Sequence, residues 1–214
     1  MLRSLVGSEM CIRDSKNSKL VDAVYIPKVK DIYPNGLERK HYDFGGIENE
    51  MEGAARPGHF DGVGTVVEEL FRQVRPDNAY FGEKDFQQLK IIEKLVDILN
   101  LGIKIHGVKI HRENNGLAMS SRNMRLSEAE KEASSVIYQT LKKVDDWFRV
   151  ITIPEIKIRV EEIFDRDDMV LEYFLIANED TLKEADFFSE DENYRAFIVV
   201  NVEQVRLIDN MHLK

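Results

Sequence analysis

Residues 77–99, DNAYFGEKDFQQLKIIEKLVDIL, pass from strand to helix across a single glycine, and that passage decides the fold. Ala79, Tyr80 and Phe81 make a short apolar run that reads as buried strand, and Gly82 ends it. Phe86, Leu89, Ile92, Val96 and Leu99 then recur at helical spacing, which predicts an amphipathic helix. Upstream, Val66, Val67, Leu70, Phe71 and Val74 predict another helix over Gly64 to Val74, closed by Arg75-Pro76-Asp77. Downstream, Ile103, Ile105, Val108 and Ile110 alternate with polar neighbours as a further strand. A β-type run at Val21 to Ile26 completes a β-α-β-α-β rhythm, which implies a doubly wound parallel sheet. The stretch between that run and the first helix, through Pro34, Gly45, Gly46 and Gly58, is predicted to be loop.

The second half is patterned differently. A Ser127/Glu130 capping box opens a helix that uses Val136, Ile137, Leu141 and Val144, and Pro154 suits the first turn of the next. Val170 to Ala177, Tyr194 to Val202 and Val205 to Ile208 read as strands, with acidic turns at Asp165 to Asp168 and Ser189 to Glu192. Helices followed by clustered strands predict a small α+β domain. The boundaries are an α/β domain over residues 16–111 and the α+β domain over 112–214. Residues 1–15, MLRSLVGSEMCIRDS, carry no sustained period and are set aside as an extraneous tail.

With 214 residues and 43% hydrophobic side chains, the chain is long enough for a substantial core. A net charge of -9 argues against nucleic-acid or membrane-surface partners, which call for a basic excess. Any bound anion must then be held by local groups. The lone Cys11 has no partner for a disulfide or a metal cluster, which fits a reducing cytoplasm. Neither Rossmann GxGxxG, Walker A nor GxSxG spacing occurs.

Three places carry candidate chemistry. Gly82-Glu83-Lys84-Asp85 lies where a strand hands over to a helix, the edge at which α/β sheets bind ligands. There the opening helix amides and the Lys84 ammonium suit a polyphosphate, although from these four letters alone Asp85 as a plain N-cap and Lys84 as a surface charge is the favoured reading. One of Gln87 and Gln88 on the first helical turn can both donate and accept. Met119-Ser120-Ser121-Arg122-Asn123 gathers two hydroxyls, a guanidinium and an amide in a polar loop, read evenly as a phosphate clamp or an ordinary hinge. His59, in Arg56-Pro57-Gly58-His59-Phe60, reads as structural.

In order, RPGHFDGVGTVVEELF at 56–71, FGEKDFQQL at 81–89, GLAMSSRN at 116–123 and VRLIDN at 205–210 resemble the pantothenate synthetase family, as does DAVYIPKVKDIYPNG at 22–36. The resemblance implies a partial Rossmann-like sheet followed by a carboxyl-terminal lid. It implies an ATP-dependent carbon–nitrogen ligase, assisted by Mg2+, that joins pantoate to β-alanine through a pantoyl adenylate, as a cytoplasmic homodimer. By the same resemblance Gly82, Glu83, Lys84 and Asp85 bind ATP, with Lys84 catalytic, and Gln88 holds pantoate. Ser120, Ser121 and Arg122 form the loop that closes on the triphosphate, and Met119 and the backbone of His111 flank the nucleotide. Val63, Val66 and Val67 form an apolar wall for pantoate, with a simple core stripe as the competing reading. The family's early His-Xaa-Gly-His motif has no match, since His41, His59, His106, His111 and His212 stand in other contexts. That departure implies an amino-terminally truncated chain, weakly active or inactive and poorly soluble alone. Two other functions stay open: a non-catalytic nucleotide- or pantoate-binding module, and a related nucleotidyltransferase with another acceptor.

Overall fold

A computed structural model describes residues 21–33, 36 and 38–214. The readings placed on residues 1–15, Cys11 and Pro34 lie outside these. In chain order come α1 (Val29–Ile32), α2 (Met51–Ala55), α3 (His59–Val74), β1 (Asn78–Gly82), α4 (Phe86–Leu99) and β2 (Lys104–Val108). Then follow α5 (Glu128–Ala133), α6 (Ser135–Trp147), α7 (Ile153–Ile163), β3 (Val170–Asn178), β4 (Tyr194–Val202) and β5 (Val205–His212). Short 3-10 turns stand at Ile47–Asn49, Glu83–Asp85 and Ser121–Arg125.

β1 and β2 pair in parallel, Ala79 opposite Ile105 and Phe81 opposite Gly107, with α4 as the crossover. The strand expected at Val21 to Ile26 does not form: Val21, Val24, Tyr25 and Ile26 are exposed, and no ladder reaches them. A β-type run becomes a strand only where another strand offers its backbone, and Pro27 interrupts the donors here. The loop expected after it carries instead α1, α2 and the turn at Ile47–Asn49. α3 begins at His59 rather than Gly64, so His59 is helical and not in a loop. The left-handed Gly58, φ 73°, swings the chain into the helix. At its far end Arg75 takes a left-handed cap, its N–H bonded to the Phe71 carbonyl, and Pro76 forbids a further turn.

The capping box read from sequence is present, Ser127 with Glu130 opening α5, although the apolar positions assigned to that helix fall on the separate α6. Pro154 stands in the first turn of α7, which a second box, Thr152 with Glu155, opens. β3, β4 and β5 form an antiparallel sheet in that order. Its side chains alternate between two cores. Ile176, Ala196, Ile198 and Val200 face Leu141 and Val144 of α6 and Ile156 and Val160 of α7. The alternate residues Tyr173, Leu175, Ala177 and Phe197 face the other way and join Val63, Val67, Ile91, Ile92 and Leu95 of α3 and α4. That second face fastens the antiparallel sheet to the parallel unit. Among the described residues no helix is long and apolar enough to cross a membrane.

One buried carboxylate secures α3. Glu68, 2% exposed, accepts from Tyr42 Oη at 2.5 Å and Arg72 Nε at 2.8 Å, and pairs with Lys40 Nζ at 2.8 Å. Burial pushes its carboxyl up, but these donors together hold it below the ordinary 4.5. A lowered folded-state pKa means the contribution is complete above pH 4.5 and disappears as pH falls through the folded value. Glu68→Gln should therefore cost about 2 kcal/mol at pH 7 and progressively less in acid. Chemical denaturation at pH 7 and pH 3 checks this; an equal loss at both would remove the charge from the explanation.

Candidate active site

A cleft opens between the parallel unit and the second face of the antiparallel sheet. From one side it is lined by Met51, Glu52, Arg56, His59, Lys84, Asp85 and Gln88. From the other come Tyr173, Phe197, Arg206, Asp209 and Asn210, and Arg122 lines it as well. Position follows from topology, since β1 ends at Gly82 and its carboxyl end delivers Glu83, Lys84 and Asp85 into the cleft.

α2 reaches the cleft because Gly53 lies against the preceding turn: a Cβ there would stand 1.8 Å from the Glu48 carbonyl oxygen. Gln87 then fixes the segment. It is 5% exposed, its Nε2 donates to the Ile47 and Glu50 carbonyls at 2.8 Å each, and its Oε1 accepts from Glu52 N at 3.1 Å. Its neighbour Gln88 lines the cleft beside it and is less buried. Of the two adjacent glutamines, Gln87 is thus the one whose amide is fully used in pinning the backbone.

The charges of the cleft do not balance. Arg206 is engaged by Glu52 at 2.6 Å and Glu172 at 2.9 Å, and Tyr173 Oη donates to Glu52 at 3.3 Å. Burial and the adjacent Glu52 carboxylate push the Tyr173 phenol well up. Asp209 is engaged by Arg112, whose guanidinium donates at 2.6 and 3.1 Å. Among the described residues this leaves Arg56, Lys84 and Arg122 without an ion-pair partner, against Asp85 and the second of the two carboxylates on Arg206. A chain of net charge -9 thus presents a locally cationic cleft. Burial pulls the Lys84 ammonium below its ordinary 10.5, while Asp85 and Asp209 support it and Arg122 opposes it. Burial, with Arg56 nearby, likewise lowers His59 and favours the neutral imidazole.

Asp85 does not act as a conventional cap, for its side chain makes no capping bond to α4. Asp85 thus holds the N-cap position of α4 without the capping bond that the competing reading needs, and it lines the cleft. The polar loop is more ordered than its letters indicate: Ser121–Arg125 is a 3-10 turn capped by Ser120, whose Oγ accepts from Arg122 N. Arg122 Nη1 donates to the Arg206 carbonyl at 3.1 Å, so it bridges the loop to β5 beside the cleft. Lys84, Ser120, Asn123 and Asp209 also share a small adjoining pocket. Met119 is exposed, with its backbone N–H on the His111 carbonyl at 2.9 Å.

The valines stand apart. Val63 and Val67, 1% and 9% exposed, pack in the core beneath α3, and none of Val63, Val66 and Val67 lines the cleft. The apolar surface in the cleft comes instead from Met51, Phe60, Phe86 and Phe197. Periodicity did not reveal Glu52, Arg56, Tyr173 or Arg206 as cleft residues. For Arg206 alone a signal was available, the alternation within VRLIDN, which puts Arg206, Ile208 and Asn210 on one strand face.

Comparison with known proteins matches residues 12–212 to the family described as pantoate-beta-alanine ligase. The pantothenate synthetase of Flavobacterium psychrophilum is 47% identical over 199 residues, covering 92% of this chain and 70% of that protein. That of Christiangramia forsetii is 42% identical over 191 residues, covering 89% and 68%. The pantothenate synthetase structure from Thermus thermophilus superposes with a TM-score of 0.83 at 34% identity, over 93% of this chain and 72% of that one. The pantoate-beta-alanine ligase of Francisella tularensis, complexed with beta-gamma ATP and beta-alanine, gives 0.69 at 31% identity, over 99% and 70%.

Proposed function

The chain belongs to the pantoate-beta-alanine ligase family, and on that premise we propose that its cleft activates pantoate with ATP and passes the acyl group to β-alanine. The supporting observation is the half-buried Lys84 at a strand end, lining with Arg122 a cleft with more cations than carboxylates. A carboxylate resists amines because it would have to expel an oxide-like leaving group. Attack of the pantoate oxygen on the α-phosphorus of ATP expels pyrophosphate and gives an acyl adenylate. The β-alanine nitrogen then attacks the acyl carbon, loses a proton, and AMP departs.

In this reading Lys84 neutralises charge that develops on the phosphates, with the opening amides of the Glu83–Asp85 turn beside it. Gly82 keeps that approach open, and Ser120, Ser121 and Arg122 close on the triphosphate. The backbone at His111 and Met119 flanks the base. Gln88 orients pantoate, whose methyl groups meet Met51, Phe60 and Phe197. The described residues gather no set of three or more metal-ligating side chains. Mg2+ needs no such set when phosphates supply its ligands, so it fits as part of the MgATP substrate.

Pantoate-dependent exchange of labelled pyrophosphate into ATP, without β-alanine, tests the first half-reaction alone. Exchange with pantoate is the expected result. Exchange with other carboxylates but not pantoate would favour a different acceptor, and nucleotide binding without any exchange would favour a binding module.

A further inference from the structure

VRLIDN contributes more than a strand edge. Asn210 is 2% exposed, and its single side-chain nitrogen donates to the carbonyls of Glu83 and of Lys84, both at 2.9 Å. The orientation of that amide is fixed from behind. Arg195 Nη1 lies 2.7 Å from Asn210 Oδ1, and a guanidinium can only donate, so the oxygen faces Arg195 and the NH2 faces the turn. Arg195 is itself held, by Glu179 Oε1 at 2.7 Å and over the Phe86 ring at 3.9 Å. The Asn210 backbone N–H is engaged as well, on Asp209 Oδ1 at 2.8 Å.

We infer that Asn210 is a positioning residue for Lys84, through which the carboxyl-terminal strand β5 sets the geometry of the phosphate-binding turn. The reason lies in the peptide unit. In a trans peptide the C=O and the following N–H point in opposite directions. Clasping the carbonyls of residues 83 and 84 therefore turns the N–H groups of Lys84 and Asp85 away from β5, and fixes the Cα from which the lysine stem departs. A turn of three residues at a glycine-ended strand has few bonds of its own to do this. A neutral amide does it without adding charge beside the ammonium, which a carboxylate at position 210 would do.

The inference rests on the proposed role of Lys84, and its test includes a readout that needs no turnover. Lysine amines are reductively methylated with 13C-formaldehyde, and the Lys84 resonance, assigned by its loss in Lys84→Met, is titrated by NMR in the wild-type chain and in Asn210→Ala. The expected result is a changed titration midpoint for Lys84 with other lysines unmoved. Alongside it, kcat for pyrophosphate exchange should fall roughly a hundredfold, the scale of a reactive group displaced by about 1 Å, while KM for pantoate changes little. Should Asn210→Ala fail to fold, Asn210→Ser, which keeps one donor, serves in its place. An unchanged Lys84 titration in a folded variant overturns the inference, as does a kinetic loss that only tracks the fall in Tm. A shifted titration in a chain with no exchange activity upholds the positioning role and sinks the ligase reading instead.

Discussion

Lys84→Met is expected to reduce kcat/KM for ATP by about 10² to 10³-fold and, at the same time, to raise Tm. Both effects come from one fact, the burial of an ammonium group without a carboxylate partner among the described residues. Methionine keeps the unbranched stem and removes the charge, so the packing around Phe86 and Asp209 is preserved while the desolvation cost disappears. The sign of the pH dependence follows. A lysine whose folded-state pKa lies below its ordinary 10.5 destabilises the fold wherever the unfolded chain would be protonated. The stability advantage of the methionine variant should be complete below the lowered folded value and vanish above pH 10.5. Activity runs the other way, since only the protonated lysine neutralises phosphate. In the wild-type chain kcat/KM should decline as pH rises through the lowered value, earlier than for a solvated lysine. Steady-state kinetics from pH 6 to 10 and denaturation from pH 6 to 11 read both. Retention of wild-type turnover at saturating ATP in Lys84→Met would remove it from the chemistry, and a fall in Tm would refute the burial argument.

What the sequence disclosed and what it concealed divide along sequence separation. Phe86 to Leu99, the capping box at Ser127 and the first-turn Pro154 are local patterns, and each stands where its letters placed it. The parallel pairing of Asn78–Gly82 with Lys104–Val108 follows from the helix between them. Val21 to Ile26 has the composition of a strand but no partner among the described residues, and composition carries no information about partners. The same limit governs the cleft. Lys84 and Arg122 were legible because each sits in a dense local motif. Arg206 meets Glu52 across 154 positions and Asn210 meets Glu83 across 127, and no periodicity connects residues so far apart. Gln87 and Gln88 show the limit at its narrowest. Adjacent on a helix, they differ by about 100° of rotation. Only the packed turn at Ile47–Asn49 decides which one is buried.

Asp209 and Arg112 are also distant in sequence, by 97 positions, and breaking their pair is expected to give the largest stability loss in the carboxyl-terminal half. Asp209 is 4% exposed, and Arg112 lies 3.9 Å over the Tyr138 ring while donating through both terminal nitrogens. Burial lifts the Asp209 carboxyl above its ordinary 3.8 in spite of Arg112, so desolvation outweighs the attraction of the guanidinium. The pair is therefore costly to hold and costlier to break. Removing one partner strands the other, and Asp209→Leu should lose about 3 to 5 kcal/mol, a fall in Tm on the order of 10 °C. Arg112→Met should lose less at low pH than at neutral pH. A raised folded-state pKa means the penalty on the stranded carboxyl is absent below 3.8 and grows as pH climbs through the folded value. The double variant Arg112→Met/Asp209→Leu, with neither charge buried, should lose markedly less than the sum of the two single losses, by a coupling energy of about 2 to 3 kcal/mol. Denaturant melts of the four proteins close the cycle. Additive losses would mean that the bidentate contact contributes nothing as a pair, and that the two residues stabilise the fold separately, through packing on Tyr138 and the bond to Asn210.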